Sequence, residues 1–157
     1  MTRGLVEESG MFRTRPVGVV DREGHILHFG TLPQYVPNLV MELLDWAKNS
    51  KVHTLIRSCV FHYEFELIHP FADGNGRVGR LWHTLLLSKW NSAFAWLPVE
   101  SIIHDRQQEY YEAINASNGA GESTVFIEFM LSAIKASLID AINTNDETVS
   151  YTHLTLP

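Results

Sequence analysis

Residues 69–80 read HPFADGNGRVGR, and this stretch dictates how the chain around it can fold. Apolar residues recur at helical spacing on both sides, yet Pro70 cannot continue a helix and Gly74 and Gly76 loosen the backbone. One helix must therefore end and another begin within a few residues. That layout carries chemistry as well. Glycines lack a Cβ, so the backbone at Gly74 and Gly76 can take positive φ and point successive N–H groups inward as an anion-binding nest. A helix opening near Arg77 adds unpaired N–H groups and the positive end of its dipole. Asp73 offers an oxygen ligand of the kind that suits Mg²⁺, and histidine, the residue type at position 69, is the side chain that titrates near neutral pH. A base, a metal ligand and an anion cradle in this order describe a site for a nucleotide phosphate.

Composition confines that site to one small domain. A chain of 157 residues with 45% hydrophobic and 19% charged residues can bury a single core. The net charge of −6 supplies no basic stripe for nucleic acid, so an anionic ligand must be met locally by the motif. Cys59 is the only cysteine, which excludes an internal disulfide and a cysteine-rich zinc site and points to core packing. No run of about 18 apolar residues exists to span a membrane, and MTRGLVEESG has no hydrophobic signal region. These features lead to the expectation of a soluble, cytoplasmic protein.

Periodicity predicts a mostly α fold with one β-hairpin. Val17, Val19 and Val20 lead into the turn sequence Asp21-Arg22-Glu23-Gly24 and on to His25-Ile26-Leu27-His28-Phe29, a hairpin over 17–29. After Pro33 and Pro37, Asn38 is placed to cap a helix that buries Leu39, Val40, Leu43, Leu44 and Trp46. A second helix covers about 54–68, with Leu55, Cys59, Phe65 and Ile68 inward. A third, from Arg77 to about Trp90, is predicted to bury Leu81, Leu85 and Leu86. Short and long helices follow through Ile102-Ile103 and through Tyr110, Tyr111 and Ile114, until a break at Asn118-Gly119-Ala120-Gly121. Ser123 is placed to cap a last helix carrying Phe126, Phe129, Met130, Ile134 and Leu138 on its apolar face. The domain is drawn as 1–142, and the polar, non-periodic 143–157 is set apart as a disordered or non-native tail.

Taken singly, the motif residues have plain readings: a hydrogen-bonded loop histidine, glycines that stop one helix and start the next. Asp73, Asn75, Arg77 and Arg80 in the same stretch turn the balance toward a nucleotide site. Phe71 anchors the loop in the core and Pro70 fixes the backbone. His62 lies four residues before Glu66, but no third ligand has suitable spacing, so packing or hydrogen bonding is the reading for that pair.

The stretch is similar, at every defined position, to the signature HPFx[D/E]GNGRxxR of the Fic (filamentation induced by cAMP) family. The likeness extends from about Gly10 to Ile142. GMFRTRPVGVV resembles the family's entry segment and flap, YVPNLVMELLDW its first long helix, and EYYEAINASNGAGESTVFIEFML the helices that close the nucleotide pocket. This resemblance implies a compact helical Fic fold and a protein adenylyltransferase, which moves AMP from ATP to a Tyr, Thr or Ser hydroxyl of a target protein and releases pyrophosphate. It implies His69 as general base and Asp73 as the Mg²⁺ ligand. Gly74, Asn75, Gly76 and Arg77 would hold phosphate, Arg80 would reach the terminal phosphate, and Tyr111 and Asn118 would line the adenosine pocket. The hairpin would be a flap along which the target docks as an added strand, the alternative being a simple packing hairpin.

Other readings stay open within and outside that family. The Doc branch phosphorylates its target and has lysine where this chain has Gly76, so this position favours AMP transfer; other members use different nucleotides or phosphocholine. A catalytically silent module that binds a nucleotide or partner would usually have lost His69 or Asp73, and both are present. Many relatives carry an inhibitory helix with the pattern [S/T]xxxE[G/N], whose glutamate pairs with the second motif arginine. Thr124 and Glu128 have the spacing, but Phe129 follows. The expectation is a chain that is naturally minimal, paired with a separate antitoxin-like chain, or a fragment of a longer protein holding the inhibitory helix.

Overall fold

The computed structural model describes residues 10–20 and 26–152. Strands β1 (Gly18–Val20) and β2 (Ile26–Phe29) pair antiparallel, Gly18 opposite Phe29 and Val20 opposite Ile26. The predicted hairpin is present, and its turn residues Asp21–Gly24 lie outside the described residues. The rest is helical, as expected for a mostly α fold: α1 (Val36–Asn49), α2 (Thr54–Ile68), α3 (Asn75–Trp90), α4 (Val99–Asp105), α5 (Gln107–Ala120) and α6 (Thr124–Thr152). No described helix is long and apolar enough to cross a membrane.

The fold is organised by α2, which spans the predicted residues. His53 caps it, its ring Nδ1 accepting from the backbone N–H of Leu55 at 3.3 Å. Its buried residues, among them Cys59, Phe61, His62, Tyr63 and Phe65, point to more than one side. A helix apolar on several sides is a central helix, not a surface one. One side shares a core with α1 and the partly buried Trp82 and Leu86 of α3; the other meets Tyr110, Ile114, Phe126 and Met130 of α5 and α6. Cys59 belongs to the second core, where burial pushes its thiol up to about 12.

Several predicted details are corrected by tertiary contacts. α1 begins at Val36 with Tyr35 as its cap, so Asn38 sits inside the first turn; Pro37 is tolerated there because first-turn N–H groups have no intrahelical partner. α3 starts at Asn75, not Arg77, and Gly74 is its left-handed cap. It buries Asn75, Gly79, His83 and Leu87, while Leu81 and Leu85 are 51% and 38% exposed. The contact line follows the smallest residue: a Cβ on Gly79 would lie 2.8 Å from Glu66 Oε1 and 3.4 Å from the Phe65 ring. Residues four apart from Gly79 are then carried inward with it.

At the other end, α5 runs through Asn118 and Ala120 and stops at Gly121, whose φ of 69° is the left-handed C-terminal turn that glycine favours. The predicted break therefore belongs to Gly121 alone. Ser123 precedes α6 and contributes its carbonyl to Ile127 N–H, whereas the hydroxyl on the first turn comes from Ser117 of α5, whose Oγ accepts from Phe126 N–H at 3.0 Å. Leu138 is 36% exposed and Ser137 takes the buried position beside it. α6 continues to Thr152, past the predicted boundary at Ile142. No Gly or Pro interrupts that stretch, and extending an established helix is easy compared with nucleating one. Residues 153–157 lie outside the described residues.

Arg13 ties the segment before the hairpin to the end of α2. Only 2% exposed, it donates from Nε to the His69 carbonyl at 2.6 Å, from Nη1 to the Arg15 carbonyl at 2.9 Å, and from Nη2 to the carbonyls of Thr31 and Ile68. Its own N–H donates to the Pro70 carbonyl at 3.0 Å. Burial draws the guanidinium below its ordinary pKa, and nothing but a planar fork of donors could reach this set of carbonyls. Arg13→Ala takes the donor from all of these carbonyls, the one at Ile68 being buried, and is expected to lower unfolding stability by about 3 kcal/mol. Arg13→Lys should recover little of it. Urea denaturation of the three proteins checks this; recovery by lysine would mean that charge, not the fork, holds the segment.

Candidate active site

α2 ends at His69, which has φ 51° and ψ 62°. This left-handed conformation is uncommon for a residue with a Cβ and lets the chain turn sharply into Pro70. The loop then folds around Asn75, whose Oδ1 accepts from Phe71 N–H and whose Nδ2 donates to the Phe71 carbonyl, both at 2.8 Å. Asn75 is 2% exposed, so its carboxamide braces the loop instead of holding phosphate; what it can offer a ligand is its backbone N–H. Phe71 packs beside Phe12 and Phe65, the anchoring role expected of it.

Gly74, at φ 86°, is the one motif glycine that uses positive φ. Gly76 is helical, and what it supplies is room: a Cβ there would stand 3.1 Å from Arg80 Nη1. The N–H groups of Asn75, Gly76 and Arg77 form the first turn of α3 with no partner inside the helix, while Val78 N–H reaches back to the Gly74 carbonyl at 3.0 Å. Those donors and the helix dipole make the cradle.

His69, Asp73, the first turn of α3, Arg80 and Tyr111 line one cleft of about 430 Å³, closed on another side by Gly18 and Val19 of the hairpin. Of the residues expected at the site, Asn118 alone is not brought there. It accepts a hydrogen bond from Tyr63 O–H at 2.8 Å and faces a separate concavity with Glu64 and Gly121. The Asp73 carboxylate accepts from Arg77 Nη2 at 3.1 Å, both side chains being about half exposed. An exposed pair of this kind contributes about 0–1 kcal/mol, so a phosphate or cation can displace either partner. Among the described residues no group of three or more His, Cys, Asp and Glu side chains could hold a metal ion. One carboxylate beside a phosphate cradle still fits Mg²⁺, which usually takes one or two carboxylates and fills its shell with phosphate and water.

Behind the cleft wall lies a buried polar group that the sequence reading left out of the site. Glu66, 11% exposed, lines the cleft one helical turn before His69, and its Oε2 is 3.8 Å from His69 Nδ1. Burial pushes its carboxyl up to about 7 against the opposing pull of Arg80. His62 Nε2 meets Tyr110 O–H at 3.1 Å and Glu66 Oε1 at 3.8 Å. Burial, with His83 and Arg80 nearby, drives His62 well below the usual histidine range, and burial brings His83 down to about 4. Tyr110 is pushed well above the usual phenol range by burial and by Glu66. Both imidazoles are therefore neutral at pH 7. The signal for Glu66 was its spacing of three from His69; Arg13 left no comparable trace.

The sequence profile of the Fic/DOC family matches residues 1–87. A crystal structure of a Fic family protein from Desulfovibrio desulfuricans superimposes with a TM-score of 0.87 at 46% identity, covering 92% of this chain and 44% of that one. Protein adenylyltransferase fic-1 of Caenorhabditis elegans is 29% identical over 123 residues, which is 74% of this chain and 23% of that protein. A probable protein adenylyltransferase of Aquifex aeolicus is 50% identical over 50 residues, and Nematostella vectensis protein adenylyltransferase Fic is 30% identical over 126. The chain spans between 16% and 27% of the length of these curated relatives. Over more than half its length, through the hairpin, α1, α2 and most of α3, the chain belongs to the Fic/DOC family.

Proposed function

We propose that this chain is the catalytic domain of a protein adenylyltransferase, moving AMP from ATP to a Tyr, Thr or Ser hydroxyl of a target protein. The observation that carries the reading is the convergence of His69, Asp73, the open first turn of α3 and Arg80 on one cleft. Relatives that bear the name protein adenylyltransferase support it.

In this mechanism His69 takes the proton of the target hydroxyl on Nε2, the hydroxyl oxygen forms a bond to the α-phosphorus, and the bond to pyrophosphate breaks. His69 then gives its proton to solvent. The first-turn N–H groups of α3 meet the charge that builds on the phosphate oxygens, Arg77 lies at the helix mouth, and Arg80, a turn further, takes the terminal phosphate. Mg²⁺, held by Asp73, would neutralise charge on the leaving pyrophosphate. Tyr111 gives the adenosine an aromatic wall. β1 and β2 form a two-stranded sheet, so each has an edge to which an extended target segment can add and bring its hydroxyl to His69.

The test is to incubate the purified chain with a cell lysate, Mg²⁺ and each labelled nucleotide in turn, then to map modified residues by mass spectrometry. Side chains carrying AMP after exposure to ATP are expected. Labelling by another nucleotide alone, or by a single phosphoryl group, would replace this reading.

A further inference from the structure

We infer that Glu66 is a positioning residue for His69: from one turn back on α2 it presents a carboxylate to the imidazole Nδ1 and balances the positive charge the ring acquires on taking a proton. This rests on the assignment of His69 as the base. Two acceptors of Glu66 stand at Nδ1, the backbone carbonyl at 3.3 Å and Oε2 at 3.8 Å. A ring facing two acceptors at Nδ1 carries its hydrogen there, so Nε2 is the nitrogen with the lone pair.

The carboxylate is placed for this by its surroundings. Its Oε1 is buried and has no hydrogen-bond partner, a position a carboxylate does not hold without a reason. On α3, Gly79 leaves it room, since any Cβ there would come within 2.8 Å of Oε1. Groups that face it are His62 on its own helix, Arg80 on α3 and Tyr110 on α5, with His83 behind His62. His62 and His83 are neutral, so Arg80 and a protonated His69 are the cations it can serve. Were Arg80 engaged by a terminal phosphate, the charge of Glu66 would fall to His69. Desolvation raises its carboxyl to about 7 against the pull of Arg80, and a proton on the neighbouring His69 ring would favour the anion in the same way.

The decisive measurement is the titration of the His69 ring by NMR in the wild-type chain and in Glu66→Gln, its signal identified by absence from His69→Ala. Removing an anion from beside an imidazole lowers its pKa, so Glu66→Gln should bring His69 down by roughly one unit or more. Glu66→Asp, which keeps the charge on a shorter arm, should fall between. In the transfer assay Glu66→Gln should lose about tenfold to a hundredfold in rate, and its acid limb should move to lower pH. ATP affinity should not change. An unmoved His69 titration would overturn the inference, as would tighter ATP binding in Glu66→Gln, which would make Glu66 a competitor for Arg80. If the wild-type chain transfers no nucleotide, the proposed function fails, and the titration still decides the Glu66–His69 coupling.

Discussion

His69→Ala abolishes AMP transfer and leaves ATP binding largely intact. The proposed mechanism divides the labour among residues that line one cleft: His69 would act on the incoming hydroxyl, while the phosphates would be met by the first turn of α3, Arg77 and Arg80. Losing a positioned general base costs on the order of 10³-fold in rate. The variant must still adopt φ 51° at position 69, which is strained for alanine; His69→Asn, a residue that tolerates this region, is the companion that separates lost chemistry from a disturbed loop. Calorimetry with ATP and Mg²⁺ beside the transfer assay reads both quantities. Transfer at the wild-type rate in either variant would remove His69 from the mechanism.

Gly76→Lys cripples the same reaction by another route. The new Cβ would stand 3.1 Å from Arg80 Nη1, and the chain beyond it must pass the guanidinium and the first-turn N–H groups. A second cation beside Arg80 repels it, and a shift of about 1 Å at a reacting group can cost on the order of 10²-fold. AMP transfer should fall by at least that factor, measured as incorporation of labelled AMP. Unchanged incorporation would show that this position does not separate AMP transfer from the phosphotransfer found elsewhere in the family.

How much of this was legible beforehand follows from the range of the forces involved. The turn from α2 through the motif into α3 could be read because proline, glycine and helix-end chemistry act over a few residues. α2 itself could be bounded by its apolar run and by Pro70. What could not be read depends on partners distant in sequence. The buried face of α3 follows Gly79 against Glu66 and Phe65, which leaves Leu81 and Leu85 outward although the helix's own spacing offered them. Asn118 goes to Tyr63, 55 residues away, and the cap on α6 comes from Ser117 of the preceding helix, a choice made by packing. Asn75 shows the limit within the motif: its place was recognisable, but its carboxamide serves the backbone of Phe71.

Arg13 has a mechanical meaning beyond its contribution to stability. One guanidinium holds the carbonyls of Arg15 before β1, Thr31 after β2, and Ile68 and His69 at the end of α2. Both stalks of the hairpin and the seat of the histidine therefore share a single fulcrum. A strand that leaned on the hairpin, as proposed for a target, would load the same knot that keeps His69 in its turn, so such docking would be felt at the histidine.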